Sequence, residues 1–119
     1  MIAEPVRVLV CGGRNFKDRA AVFARLDEIA AELGPLYVIE GGAQGADRWA
    51  REWRADRLHP GKTYQAAWDR DGKAAGPIRN RRMIDEGHPA LVVAFPGGKG
   101  TANMIEQARA ALIPLEIVT

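Results

Sequence analysis

The sequence has little cysteine and no long apolar run. One cysteine, Cys11, among 119 residues excludes an internal disulfide and cannot build a metal site by itself. Such sparing use of cysteine fits a reducing compartment, and no signal peptide opens the chain. No apolar run approaches the length that crosses a membrane. We therefore expect a cytoplasmic protein with no membrane segment, no protein-built metal site and no resident cofactor.

The sequence also lacks a large excess of positive or negative charge. The chain has 17 lysine and arginine residues against 15 aspartate and glutamate residues, a net charge of +2, and the two signs are interspersed. A nucleic-acid surface normally masses its basic residues in one patch. Although the pI is about 9.0, this distribution argues against nucleic acid as the partner.

The sequence does contain a regular alternation of short apolar runs and segments of helical period. It predicts strands at residues 6–11, 36–40, 63–66, 91–95 and 113–118, and helices that begin after Asp18, after Gly45, near Pro77 and at Ala102. Strands that alternate with helices need crossover connections and are therefore parallel. The predicted fold is an α/β three-layer sandwich, a single domain over residues 1–119, around a five-stranded parallel sheet of order 3-2-1-4-5.

Glycine-rich loops follow three of the predicted strands, at residues 12–14, 41–45 and 96–101. In a parallel sheet these loops gather at the carboxyl edge, where ligands bind at the reversal of strand order. Glycine lets backbone N–H groups approach an anion, and a helix N-terminus adds partial positive charge. One glycine pair alone would be better explained by a tight strand-to-helix turn, but three such loops at one sheet edge predict a phosphate or nucleotide site. Its candidate residues are Gly12, Gly13, Gly41, Gly42, Gly45, Gly97, Gly98, Gly100 and Thr101.

Four motifs occur in a fixed order along nearly the whole chain: strand-GGR, strand-EGGAQGAD, WDRDGKAAGPIRNRRM and strand-FPGGKGT. Together they resemble the YspA/YpsA-related branch of the SLOG superfamily, which is related to the LOG phosphoribohydrolases and to the DprA/Smf fold. The resemblance implies a Rossmann-like domain that binds nucleotides or nucleotide-derived ligands.

LOG enzymes release the base from a nucleoside 5′-monophosphate with an arginine and with the glutamate of the pattern P-G-G-x-G-T-x-x-E. Residues 96–101 match this pattern, but Met104 occupies the glutamate position. Glu106 follows two residues later, about 200° around the helix, and should not substitute. Arg81 lies at the distance from the loop that the family arginine would have. Glu40, at the end of the second strand, is the best remaining carboxylate, so Arg81 and Glu40 are the candidate catalytic residues.

The helix near Pro77 carries arginines close to its start, an arrangement that opposes the helix dipole unless an anion is bound. Arg79 and Arg81 would then clamp a phosphate or carboxylate, and Asn80 would contact a sugar or base. Alternatively, these are surface residues whose charges are balanced by nearby acidic side chains.

Three further residues are candidate ligand contacts. Arg14 follows the first strand, so it points into the crevice or lies on its rim. Asp47 begins the second helix and either contacts the ligand or caps that helix. Trp68 belongs to a long polar turn, where it stacks on a base as part of a lid or anchors the turn on the core.

The leading hypothesis is a module that binds a nucleotide-derived small molecule as a sensor or carrier. The alternative is a LOG-like nucleoside 5′-monophosphate phosphoribohydrolase, which hydrolyses the N-glycosidic bond. The DprA relationship suggests single-stranded nucleic acid as a third ligand. LOG relatives form dimers, and the paired Trp49 and Trp53 are compatible with a homodimer.

Overall fold

The computed structural model describes residues 4–119, which form five strands and five α-helices in strict alternation up to the third strand. In chain order the elements are β1 Val6–Cys11, α1 Arg19–Leu33, β2 Leu36–Glu40, α2 Ala46–Asp56, β3 Gly61–Thr63, α3 Trp68–Asp71, a 3₁₀ turn Gly72–Ala74, α4 Ala75–Gly87, β4 Leu91–Ala94, α5 Lys99–Ala110 and β5 Leu115–Ile117. Every strand pair is parallel and the order is β3-β2-β1-β4-β5. The predicted α/β, Rossmann-like fold and its strand order are confirmed.

The central strand β1 is buried on both faces from Val8 to Cys11, which is why these four residues form a continuous apolar run. Val8 and Val10 pack on one side with α1 and α2. Leu9 and Cys11 pack on the other side with α4 and α5. The helices therefore cover both faces of the sheet and complete the predicted three layers.

Two predicted elements differ from the structure in the region between β2 and β4. The third strand is Gly61–Thr63 rather than residues 63–66, because its pairing with residues 38–40 of β2 defines it and no apolar run marks it. The expected long polar turn is instead the short helix α3 followed by the 3₁₀ turn. The amide N–H groups of Arg70 and Asp71 donate to the carbonyl oxygen of Ala67, which closes this helical turn.

The last helix also differs from its prediction. It begins at Lys99 rather than at Ala102, since Gly98 serves as its N-cap. It ends at Ala110, and Leu112, which follows it, is 89% exposed with a φ of 58°. None of the helices within residues 4–119 is long and apolar enough to cross a membrane.

Candidate functional site

A cavity of about 840 Å³ opens at the carboxyl edge of the sheet, above the ends of β1 and β4, where the strand order reverses. Sites for small ligands commonly measure about 300 to 1,000 Å³ and occupy this position in open α/β sheets. We call it the main cavity. Many predicted site residues line it: Gly12, Gly13, Arg14, Asp47, Trp68, Arg79, Asn80, Gly97, Gly98, Gly100 and Thr101.

Some of the glycines are required because the loops pack against one another. The N–H of Gly13 donates to the carbonyl oxygen of Pro96 at 2.9 Å, and the N–H of Ala46 donates to the carbonyl oxygen of Gly13 at 3.3 Å. A Cβ on Gly12 would lie 2.5 Å from the Ala46 Cβ, and one on Gly45 would lie 2.0 Å from the Gly13 oxygen. Gly45 is not among the residues that line the cavity. These positions therefore hold the loops together whether or not a ligand binds.

Gly98 and Gly100 differ from the other loop glycines. Both line the main cavity, and a Cβ built on either would meet no atom within 4 Å. Gly98 is the N-cap of α5, and no side chain caps this helix. The first N–H groups of a helix have no acceptor within it. The start of α5 therefore offers backbone donors and the positive end of the helix dipole beside open space.

Basic side chains surround the same space. Arg14, Lys73, Arg79 and Lys99 line the main cavity, and Asp47 is the carboxylate among the lining residues that the structure describes. This excess of positive charge favours an anionic ligand.

Arg79 is the most constrained of these cations. Its Nη1 donates to the carbonyl oxygen of Gly41, and its Nε donates to Asn80 Oδ1 at 3.0 Å. Burial lowers the pKa of Arg79, and the charge of Asp47 acts in the opposite direction. A guanidinium has five N–H donors and remains charged in proteins, so these contacts leave donors for a ligand.

Asn80 has a different position from the one expected of a residue that reads a sugar or base. It is buried, and its Nδ2 donates to the Gly100 carbonyl oxygen at 3.2 Å and to Asn103 Oδ1 at 3.1 Å. Its oxygen accepts from Arg79. Because its amide is committed in this way, Asn80 holds α4 against the start of α5 and orients the arginine beside it.

Asp47 organises the loop that precedes α2. It is buried, and its Oδ2 accepts the N–H of Gly41 at 3.1 Å and the N–H of Ala43 at 3.3 Å. Burial, and after it the charge of Glu40, raises the pKa of Asp47 to about 6. We expected Asp47 either to contact the ligand or to cap α2. Its carboxylate instead accepts hydrogen bonds from the loop that precedes α2.

The two candidate catalytic residues do not line the main cavity. Glu40 is fully buried, and its Oε1 lies 3.0 Å from Arg51 Nη1 while its Oε2 lies 3.6 Å from Arg54 Nη2. Arg81 has a side chain that is 72% exposed and pairs with Asp85 at 2.8 Å. Met104, at the position of the LOG glutamate, is fully buried in the core.

A smaller cavity of about 180 Å³ adjoins the main one on the side of β2, and we call it the side cavity. Gly41 and Gly42 line it, and Arg14, Ala43, Trp68 and Arg79 line both cavities. Trp68 is 47% exposed. The guanidinium carbon of Arg14 lies 5.6 Å from the centre of the Trp68 ring, within the range of a cation–π contact.

Sequence reasoning missed several lining residues. Lys73 and Asn103 line the main cavity, and Gln65 lines the side cavity. Lys73 lies in the segment that we predicted to be a long polar turn. Its positive charge, in the same segment as Trp68, was the signal that could have identified it as a ligand contact. Asn103 lies one helical turn after Gly100, on the same face of α5. A prediction that began this helix at Lys99 would have identified Asn103 as a lining residue. No local pattern marks Gln65.

Comparisons with known proteins give a family and a relative for this chain. The model of the YspA, cpYpsA-related SLOG family matches residues 6–70. The "Gene 61 protein" of Mycobacterium phage D29 is 37% identical over 117 residues, which cover 92% of this chain and 93% of that protein. The matched family range includes the first two glycine loops and Trp68, and the loop at residues 96–101 follows it.

Proposed function

The chain belongs to the YspA, cpYpsA-related SLOG family, and from this premise we propose that it binds a nucleotide or nucleotide-derived ligand in the main cavity as a sensor or carrier module. The observation that carries the proposal is the uncapped start of α5, where Gly98 and Gly100 border open space beside Arg79. A helix N-terminus next to a guanidinium is a favourable site for phosphate.

The rest of the ligand would extend along the wall formed by α3 and α4. Trp68 and Lys73 line this side of the main cavity, and the tryptophan ring is about half exposed. An exposed indole in a cavity provides a flat apolar surface on which a base can stack. Arg14, over the same ring, adds positive charge toward the phosphate.

The geometry does not favour the phosphoribohydrolase alternative. Glu40 is engaged with arginines of α2, and Arg81 points to solvent with Asp85. Asp47 lines the cavity, but its Oδ2 already accepts two backbone N–H groups. Hydrolysis of the N-glycosidic bond would need a carboxylate free to assist water or the leaving group. Binding without hydrolysis is therefore the function we propose.

A homodimer and a cytoplasmic location stay predictions. The structure bears on one argument for the dimer, the pair of tryptophans on α2. Trp53 is fully buried and stacks on His59 with ring centres 4.5 Å apart. The Trp49 indole N–H donates to the Phe16 carbonyl oxygen at 2.8 Å. Because Trp53 is fully buried, it is a core residue and would not form a subunit contact.

The proposal is tested by a thermal-shift screen of nucleoside mono-, di- and triphosphates, followed by calorimetric titration of the best ligand. A ligand at about a hundred times its Kd should stabilise the protein by about 2.7 kcal/mol. Gly98→Val should remove binding, because its side chain would occupy the space beside the helix start. Incubation with AMP and chromatography for free adenine tests the enzyme alternative. A screen without any stabilising nucleotide would contradict the proposal.

A further inference from the structure

The side cavity differs chemically from the main cavity because its backbone donors are already used. The N–H groups of Gly41 and Ala43 donate to Asp47, and the N–H of Gly42 donates to Glu40 Oε1 at 2.7 Å. Amides engaged in this way cannot cradle a phosphate. The side cavity is therefore poorly suited to a second anionic group.

The polar side chains that belong to the side cavity alone are neutral. Gln44 and Gln65 line it but do not line the main cavity, and both are exposed. Each carboxamide provides two donors and an acceptor. The two arginines of the side cavity, Arg14 and Arg79, also line the main cavity, where we place the phosphate. Carboxamides of this kind complement hydroxyl groups, which both donate and accept.

The size of the side cavity fits one small group. A volume of 180 Å³ equals about six water molecules at about 30 Å³ each, enough for a sugar ring but too little for a complete nucleoside. The main cavity, at 840 Å³, is large enough for a nucleotide by itself. Arg14, Ala43, Trp68 and Arg79 line both cavities, so the two are adjacent, and a group attached to the phosphate would pass these residues to reach the side cavity.

We infer that the side cavity receives an uncharged, hydroxyl-rich group attached beyond the phosphates, so that the ligand class is a nucleoside diphosphate sugar rather than a mononucleotide. This inference rests on the proposed function, because it takes the phosphate site at the start of α5 as given. The diphosphate would pass Arg79, and the sugar would contact Gln44 and Gln65. The ligand would then span the carboxyl edge from α5 to the loop at residues 41–45.

Calorimetric titration of the full chain with matched ligands tests the inference. Because the base is not identified, we would use ADP with ADP-glucose and UDP with UDP-glucose. In at least one series the sugar-bearing ligand should bind at least about fivefold more tightly, as expected for two or three neutral hydrogen bonds. Gln65→Ala should lose most of this gain, and Ala66→Leu, which adds bulk at the wall of the side cavity, should lose all of it.

Both variants should bind the plain diphosphates within about twofold of the parent, and Ala20→Leu, on the exposed side of α1, is the matched control for added bulk. Equal affinities for diphosphate and diphosphate sugar in both series would overturn the inference and leave the proposed function intact. Tighter binding of ATP or UTP that Ala66→Leu abolishes would assign the side cavity to an anion and would also overturn it. If no nucleotide binds, the proposed function fails and the inference fails with it.

Discussion

The N–H of Gly13 and the carbonyl oxygen of Pro96 form a hydrogen bond of 2.9 Å between loops that are far apart in the sequence. The same glycine accepts the N–H of Ala46 at the start of α2. One residue thus joins the loops after β1, β2 and β4 into a single unit. Backbone contacts therefore fix the base of the main cavity. The start of α5 borders the open space of this cavity.

This division predicts a large loss of stability for one alanine substitution and a small loss for another. Gly12→Ala should lower the free energy of unfolding by about 1 to 3 kcal/mol, because its Cβ would lie 2.5 Å from the Ala46 Cβ. Gly98→Ala should cost no more than about 1 kcal/mol, since its Cβ meets open space. Urea denaturation of both variants checks this. Similar losses in the two variants would contradict the packing role that we assign to Gly12.

A second prediction separates two arginines on α4. Arg79→Ala should weaken nucleotide binding about ten- to hundredfold, because it removes a charge-assisted contact in a partly buried site. Arg79→Lys should recover part of the loss, since an ammonium keeps the charge without the planar fork. Arg81→Ala is the matched control and should bind within about twofold of the parent, as its side chain pairs with Asp85 at the surface. Equal losses in calorimetry for Arg79→Ala and Arg81→Ala would contradict this assignment.

A third prediction concerns the pH dependence of stability. The folded protein raises the pKa of Asp47 from 3.8 to about 6, so it binds a proton there more tightly than the unfolded chain does. The contribution of Asp47 to the stability of the parent should therefore fall as pH rises from 3.8 through about 6, by up to about 3 kcal/mol, and the comparison with a variant at this position isolates it from the other carboxyl groups. Asp47→Asn should lack this loss, because a carboxamide stays neutral and still offers an oxygen to Gly41 and Ala43. Urea denaturation at about pH 4 and about pH 7 measures the difference, and parallel pH profiles would speak against it.

A fourth prediction assigns Glu40 to stability rather than to catalysis. Glu40→Ala should lower the free energy of unfolding by about 2 to 4 kcal/mol, because it removes a buried carboxylate that binds two arginines and the Gly42 N–H. Glu52→Ala, which breaks an exposed pairing with Arg19 and Arg48, should cost no more than about 1 kcal/mol. Chemical denaturation of both variants measures these costs. A fully stable Glu40→Ala protein would contradict the prediction.

The fold could be predicted from those elements whose own residues show a pattern of hydrophobicity. Strands β1, β2 and β4 consist mostly of consecutive apolar residues, and their alternation with helices predicts a parallel sheet. The order follows the usual doubly wound arrangement. Gly61–Thr63 has no such run and becomes a strand because β2 pairs with it. The four residues of α3 are too few to show a helical period. These elements depend on tertiary contacts that no local pattern records.

The same limit applies to the candidate site. The glycine loops were found because glycine followed by a helix is a local signal. The choice between Arg79 and Arg81 depends on the rotation of α4, which begins at Ala75 rather than near Pro77. Glu40 does end β2 at the expected edge, but arginines of α2 hold its side chain inside the protein. Side-chain direction at an edge is therefore decided by the neighbouring helices.

The two outer strands have a consequence for how copies of the protein meet. Gly61–Thr63 and Leu115–Ile117, the strands at the margins of the sheet, are three residues long each. Unpaired backbone groups on a marginal strand are the template on which sheets of separate molecules join into continuous ribbons. Strands this short offer few such groups, so the protein should resist ribbon-like aggregation at high concentration. A homodimer, if one forms, would have to be built from helix surfaces instead of by extending the sheet.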